Sequence, residues 1–185
     1  MLVHIPPTRC RRARASLTLV LSVLLLPVAG CGRGAPALAP SAGGANATVV
    51  RVVDGDTVVV GLAGNEEKVR LIGIDTPETK KPNTPVQCFG EQASARLHEL
   101  VPDTTPVRLE RDAEERDHYG RLLAYLYRTS DGLFVNLSLA ADGYAVPLSI
   151  APNVTHADEF RSAAADARGH GKGLWSACPE PRPPI

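Results

Sequence analysis

Residues 48–74, TVVRVVDGDTVVVGLAGNEEKVRLIGI, decide the fold. Thr48–Val53 is dominated by β-branched side chains, which suit a pleated strand. Asp54-Gly55-Asp56-Thr57 is a turn sequence, and Val58–Val60 resumes the extended pattern. Gly64-Asn65 marks a second turn, after which Lys68–Ile74 alternates as a further strand. Three strands succeed one another through tight connections, which is the opening of an antiparallel meander.

Outward from that stretch the pattern changes. Pro77, Pro82 and Pro85 punctuate a long loop without regular periodicity. Glu91–Leu100 has helical spacing, with Ala93, Leu97 and Leu100 on one side. Val107–Arg111 and the strongly apolar Leu122–Tyr127 are strands, and Ser130-Asp131-Gly132 is a turn. Val135–Ala141 suits a short helix closed by Gly143. The last helix is expected to start at Thr155, with Thr155 as N-cap and Asp158 three residues on, and to end near Gly169. Five short strands with helices between and after them predict an α+β, mainly β, domain. Its expected form is a five-stranded Greek-key barrel of the OB type with about three helices.

The ends bound this domain. Arg9, Arg11, Arg12 and Arg14 form a basic leader, and Leu17–Val28 is an apolar run too short to stay in a bilayer as a helix. It closes on Val28-Ala29-Gly30-Cys31, which resembles the lipobox of bacterial lipoproteins; an ordinary secretory signal is the alternative. Residues 1–31 are thus expected to be a signal peptide ending at a lipidated Cys31. Residues 32–47 are a Gly, Ala, Pro and Ser tether, residues 48–178 the folded domain, and residues 179–185 a Pro-rich tail. The expected location is outside the cytoplasm, at the cell membrane through the lipid anchor only, with partial release. A monomer is expected. The Arg11-Arg12 pair leaves twin-arginine and general export both open.

Charge and cysteines add constraints. The chain carries 20 basic and 20 acidic side chains; without the four leader arginines the remainder is net −4. Long-range attraction for polyanions is therefore weak, and a local basic patch must supply it. Cys88 and Cys178 are left after Cys10 and Cys31 are assigned to the leader and the lipid. In an oxidising compartment such a pair is expected to form a disulfide, with two separate thiols as the alternative. A bridge would close a loop worth on the order of 4 kcal/mol in chain entropy.

Three segments gather charge where strands end: Asp54-Gly55-Asp56-Thr57, Arg70 through Asp75-Thr76-Pro77-Glu78, and Asp117-His118-Tyr119-Gly120-Arg121. Singly, each is an ordinary turn or a solvated strand end. Together they hold what phosphodiester hydrolysis requires. Its transition state concentrates negative charge on the non-bridging oxygens, so catalysis is mostly positioning and charge neutralisation. Asp56 and Asp75 are hard oxygen ligands for a shared cation. Arg70 and Arg121 offer planar forks for phosphate oxygens. Glu78 is placed to work on the attacking water.

Those segments, with Phe89-Gly90, Val135-Asn136, Pro152-Asn153-Val154-Thr155-His156 and Leu174-Trp175, resemble the staphylococcal nuclease (thermonuclease) family over roughly residues 48–175. The resemblance implies an OB-fold barrel. It implies Ca²⁺ bound by Asp56, Asp75 and the carbonyl of Thr76, and Arg70 and Arg121 on the scissile phosphate. It implies Glu78 acting on water, and DNA or RNA cleaved to 5′-hydroxyl and 3′-phosphate ends. Asp54 matches an acid behind the metal, Tyr119 a Tyr on the substrate phosphate, and Lys80 and Lys81 a basic loop beside the site.

The chain also departs from that family. Pro147-Leu148-Ser149-Ile150 stands where the staphylococcal enzyme carries two Tyr, so an aromatic floor for the base is missing. The Cys88 and Cys178 pair is absent from that enzyme. Single-stranded or denatured nucleic acid is the expected substrate. The competing readings are a non-catalytic nucleic-acid-binding OB module and a surface module for protein or wall polymer. The presence of all five key side chains argues against the first; a large apolar surface patch would mark the second.

Overall fold

The structure is a computed structural model that describes residues 44–80 and 85–178. The leader with Cys31, most of the tether, Lys81 and the Pro-rich tail lie outside the described residues.

Five strands form a closed barrel. They are β1 (Ala47–Asp54), β2 (Thr57–Leu62), β3 (Asn65–Leu71), β5 (Pro106–Glu110) and β6 (Leu122–Arg128), in spatial order β1-β2-β3-β6-β5. All neighbours are antiparallel except β3 and β6, which run parallel through Val69–Leu122 to Leu71–Ala124. The barrel closes where Ala47 and Thr48 meet Val107 and Pro106. Asn46 already belongs to it, since its side chain accepts from the Leu109 N–H at 2.8 Å and donates to the Leu109 carbonyl at 2.9 Å. Val49, Val58, Val60, Val69, Leu71, Val107 and Leu126 are buried in one core. Each side chain of this size contributes roughly 1.5–3 kcal/mol when removed from water.

The expected barrel is present, with three local differences. The run Lys68–Ile74 is not one strand. It breaks at Ile72, and Gly73–Asp75 forms a separate strand, β4, paired with β7 (Val146–Leu148) in a two-stranded sheet. Gly73 makes the break: its φ is +85°, and a Cβ there would lie 2.0 Å from the Phe160 ring. The freed carbonyl of Ile72 is taken by the buried Asn136 side chain at 2.9 Å. Second, the β2–β3 turn sits on Ala63 and Gly64, both with positive φ, so Asn65 is already strand. This double left-handed geometry suits a two-residue hairpin with right-handed twist.

Four helices accompany the barrel: α1 (Gly90–Leu100), α2 (Val135–Ala141), α3 (Ala157–Gly169) and the short α4 (Leu174–Ala177). α1 buries Gly90, Ala93, Leu97 and Leu100, the face read from sequence. α2 ends as expected, with the Gly143 N–H on the Ala140 carbonyl and the Tyr144 N–H on that of Leu139. The third difference is the start of α3. Thr155 is not its N-cap; the helix starts at Ala157 after His156. The Thr155 hydroxyl instead donates to Asp112 at 2.8 Å. The anticipated bridge is formed, Cys88 to Cys178 with Cα atoms 6.0 Å apart.

Candidate active site

The β1–β2 hairpin builds the acidic end of the site. Asp56 lies in the turn and is 8% exposed. Its Oδ1 accepts from the Thr57 hydroxyl at 3.0 Å, and its Oδ2 accepts from the Thr76 N–H at 3.0 Å and hydroxyl at 2.9 Å. Gly55 permits that contact, since a Cβ there would lie 2.7 Å from Thr76 Oγ1.

Arg70, at the end of β3, joins two of the acids. Its Nη1 lies 2.7 Å from Asp56 Oδ2, and its Nη2 donates to Asp75 Oδ1 at 2.8 Å. Asp75 reaches this position because the break at Gly73 turns β4 off the barrel. Three segments distant in sequence therefore meet: the hairpin, the end of β3 and the end of β4.

Behind them, Asp54 Oδ1 accepts from the Gly55 N–H and the Thr79 hydroxyl, both at 2.8 Å. Burial first, and then a hydrogen bond with the Glu78 side chain and the charge of Asp56, push the Asp54 carboxyl up to about 6, against the bonds from Thr79 and Gly55. Asp75 is also raised; burial dominates, Arg70 opposes it, and the charges of Asp56 and Glu78 add to it. Glu78 Oε1 accepts from the Lys80 N–H at 2.7 Å. Asp54, Asp56, Asp75 and Glu78 thus feel one another, and Arg70 is the guanidinium set among them.

The second arginine comes from the β5–β6 loop. Asp117 Oδ1 accepts from the Tyr119 and Arg121 N–H groups at 3.0 and 2.9 Å. Its Oδ2 accepts from Arg121 Nε at 2.6 Å. Arg116 braces the loop against β3 by a two-point pair with Glu67 at 2.9 and 3.0 Å and a bond to the Gly120 carbonyl at 2.8 Å. Tyr119 is 73% exposed, with the Arg121 guanidinium 5.4 Å from its ring.

Arg70 and Arg121 line one cleft of about 380 Å³. Leu123, Leu148, Ile150, Glu114, His118 and Asn153 line it as well. Its far wall is aliphatic at Leu148 and Ile150, in keeping with the aromatic floor missing from the sequence. Asn153 is held by reciprocal bonds with Glu114, at 2.7 Å to its N–H and 3.0 Å to its carbonyl.

Of the residues expected from sequence, Asp56, Arg70, Asp75 and Thr76 are joined by direct bonds, and Asp54 and Glu78 act on them through charge. Arg121 shares the cleft with Arg70, and Tyr119 stands at its edge. Lys80 touches the cluster through its backbone and is exposed. Sequence reasoning gave no role to Thr79, Gln87, Asp117 or Asn153, although Asp117 and Asn153 lie in segments it singled out; they act through backbone or neighbouring groups.

The oxygen-only donors fit a hard cation. Among the described residues no group of three or more His, Cys, Asp or Glu side chains is placed to hold a metal ion, so a cation here would rest on Asp56 and Asp75 with further oxygens from backbone, water or substrate. Burial first, and then the charges of neighbouring carboxylates, raise Asp54 and Asp75, and a divalent cation would relieve the charge part.

The chain also matches known proteins. The family model described as staphylococcal nuclease homologue matches residues 68–177. A thermonuclease of Staphylococcus hyicus is 41% identical over 128 residues, 69% of this chain and 74% of that protein. Endonuclease YncB of Bacillus subtilis is 44% identical over 133 residues, 71% of this chain and 62% of YncB. The SPbeta prophage-derived endonuclease YokF of the same organism is 45% identical over 131 residues, 70% of this chain but 43% of YokF.

Proposed function

The chain belongs to the staphylococcal nuclease homologues, and on that premise we propose that it is a calcium-dependent hydrolase of phosphodiester bonds in DNA and RNA. The observation that carries this is the convergence of Arg70 with Asp56 and Asp75, beside a cleft that also holds Arg121.

Asp56, Asp75 and the Thr76 carbonyl would hold Ca²⁺, which supplies charge neutralisation at the phosphate. The chain's own residues do the rest. Arg70 lines the cleft with Nη1 and Nη2 paired to Asp56 and Asp75, and a cation taken up by those carboxylates would free its fork for phosphate. Arg121 is fixed through Nε by Asp117, so the rest of its guanidinium is presented without first having to be ordered. The two arginines grip phosphate oxygens whose charge grows in the transition state. Glu78 receives or orients the proton of the attacking water, with Asp54 beside it. Tyr119 contacts the substrate phosphate, and Lys80 adds positive charge beside the site. Attack at phosphorus with departure of the 5′-oxygen leaves 5′-hydroxyl and 3′-phosphate ends.

The reading extends to location. The chain would work outside the cytoplasm as a monomer, tethered by a lipidated Cys31, on single-stranded or denatured nucleic acid.

The test is cleavage of denatured DNA by the purified chain in millimolar Ca²⁺ and in excess chelator, with the product ends identified. Ca²⁺-dependent release of 3′-phosphate fragments is expected. Equal cleavage in chelator, or 5′-phosphate products, contradicts the mechanism.

A further inference from the structure

Glu78 is gripped by one residue at both of its backbone polar groups. Its N–H donates to the Gln87 side-chain carbonyl at 3.0 Å. The Gln87 N–H in turn donates to the Glu78 carbonyl at 2.9 Å. The two partners of this clasp are nine residues apart in sequence. A glutamine spending its side chain on a backbone nine residues away stabilises one placement of that backbone. It does so without touching the cleft, whose lining does not include it.

The residues after Gln87 are held unusually hard. Cys88 is bonded to Cys178 at the end of α4. Phe89 stands at φ +70°, a left-handed position that a bulky side chain rarely takes, and packs with Val146, Leu174 and Cys178. Its ring lies 5.2 Å from that of Tyr144. Gly90 approaches the other side of the clasp, since a Cβ there would lie 2.8 Å from Thr79 Cγ2, 3.0 Å from the Pro77 carbonyl and 3.2 Å from that of Glu78. α4 is itself tied to α2 by the Leu174 N–H on the Gly143 carbonyl at 2.8 Å. A continuous set of contacts therefore runs from α2 and α4 through the bridge to Gln87 and so to Glu78.

We propose that Gln87 is a positioning residue for Glu78, and that the Cys88–Cys178 bridge holds Gln87 in place for that purpose. This rests on the reading that Glu78 works on the attacking water. The bridge is then more than a staple on the end of the chain: it fixes the carboxylate that must sit within hydrogen-bond reach of the water. Errors of about an ångström at such a group cost up to about 100-fold in rate.

The test uses the full chain at saturating denatured DNA and Ca²⁺, well below the melting temperature of each form. Gln87→Leu removes the acceptor at similar size and leaves the bridge intact. It is expected to lower kcat between about 10- and 100-fold with KM unchanged. Gln87→Glu keeps an acceptor and recovers most of the rate. Reduction of the bridge, or Cys88→Ser with Cys178→Ser, moves kcat in the same direction. In a Glu78→Gln background, Gln87→Leu costs nothing further. Wild-type kcat in Gln87→Leu, alongside a strong loss in Glu78→Gln, overturns the clasp alone. Additive losses in the double variant also overturn it. Wild-type kcat in Glu78→Gln overturns the role of Glu78 and the clasp with it.

Discussion

Asp117 holds Arg121 at two points, accepting from its backbone N–H at 2.9 Å and from its Nε at 2.6 Å. The carboxylate so engaged lies below the ordinary range. Burial would raise it, and the side-chain and backbone bonds of Arg121 outweigh that. Asp117→Asn keeps the shape but weakens a charge-assisted bond of about 1.5–3 kcal/mol. The expected result is a fall in kcat/KM of roughly 10- to 100-fold, with the melting temperature little changed. Steady-state cleavage beside a thermal melt reads both.

Gly55→Ala tests the hairpin. Its Cβ would meet Thr76 Oγ1 at 2.7 Å and Ala93 Cβ at 2.9 Å, so the hairpin must move away from Thr76 and α1. Overpacking of this kind costs about 1–3 kcal/mol. Ca²⁺ affinity, measured by calorimetry, should fall together with stability, because Asp56 and Thr76 lose their register. Unchanged affinity would mean that the Asp56–Thr76 contact does not shape the site.

Ile150→Tyr restores an aromatic group to the cleft wall. Ile150 is 63% exposed and lines the cleft with Leu148. Base stacking on an aromatic ring is worth about 1–3 kcal/mol, so single-stranded DNA should bind at least about fivefold tighter. Fluorescence anisotropy on a catalytically inactive background measures it. No gain would show that the base does not rest on this wall.

Asp112 governs acid stability at the barrel–α3 junction. Burial would raise its carboxyl, but bonds from the Thr155 N–H, the Tyr125 and Thr155 hydroxyls and the Ala113 N–H bring it below its ordinary value of 3.8. A depressed carboxylate stabilises the fold fully above its unfolded value and loses that contribution as pH falls through the folded value. Asp112→Asn should therefore be less stable than the natural chain at neutral pH, and the gap should close from about pH 4 downward. Denaturant midpoints across pH check this, and a gap that widens in acid would refute it.

Much of this site was legible in the sequence because its chemistry sits in turns. Asp56, Arg70, Asp75 and Arg121 are unusual residues at strand ends, and short motifs carry them. The break at Gly73 was less legible. Its cause is the Phe160 ring, 87 residues further along, and only a glycine inside an alternating run hinted at it. Thr155 misled for the same physical reason. A local capping pattern was present, but Asp112, 43 residues away, took the hydroxyl. Gln87 has no signature at all, because its work is a hydrogen bond to a backbone group. β7 spans three residues and pairs only with β4, too short for a periodic signal.

The charge balance sets a further expectation. With residues 32–185 net −4, and both cleft arginines already paired to carboxylates, affinity for nucleic acid should depend on Ca²⁺. Titration of an inactive variant with single-stranded DNA, with and without Ca²⁺, should show clearly tighter binding in its presence. Equal affinity in both would mean that other cations on the surface do the attracting.

If Glu78 and Arg121 carry phosphodiester hydrolysis in this barrel, removing both must nearly abolish it. The most direct measurement is the initial rate of denatured-DNA cleavage in Ca²⁺ by the natural chain and by Glu78→Gln combined with Arg121→Ala, with folding verified for each. Rapid, chelator-sensitive cleavage is expected from the first. A loss of at least about 1000-fold is expected in the second, in line with removal of a charge-stabilising donor together with the residue that acts on the water. Cleavage by the folded double variant at a rate near that of the natural chain would contradict both assignments.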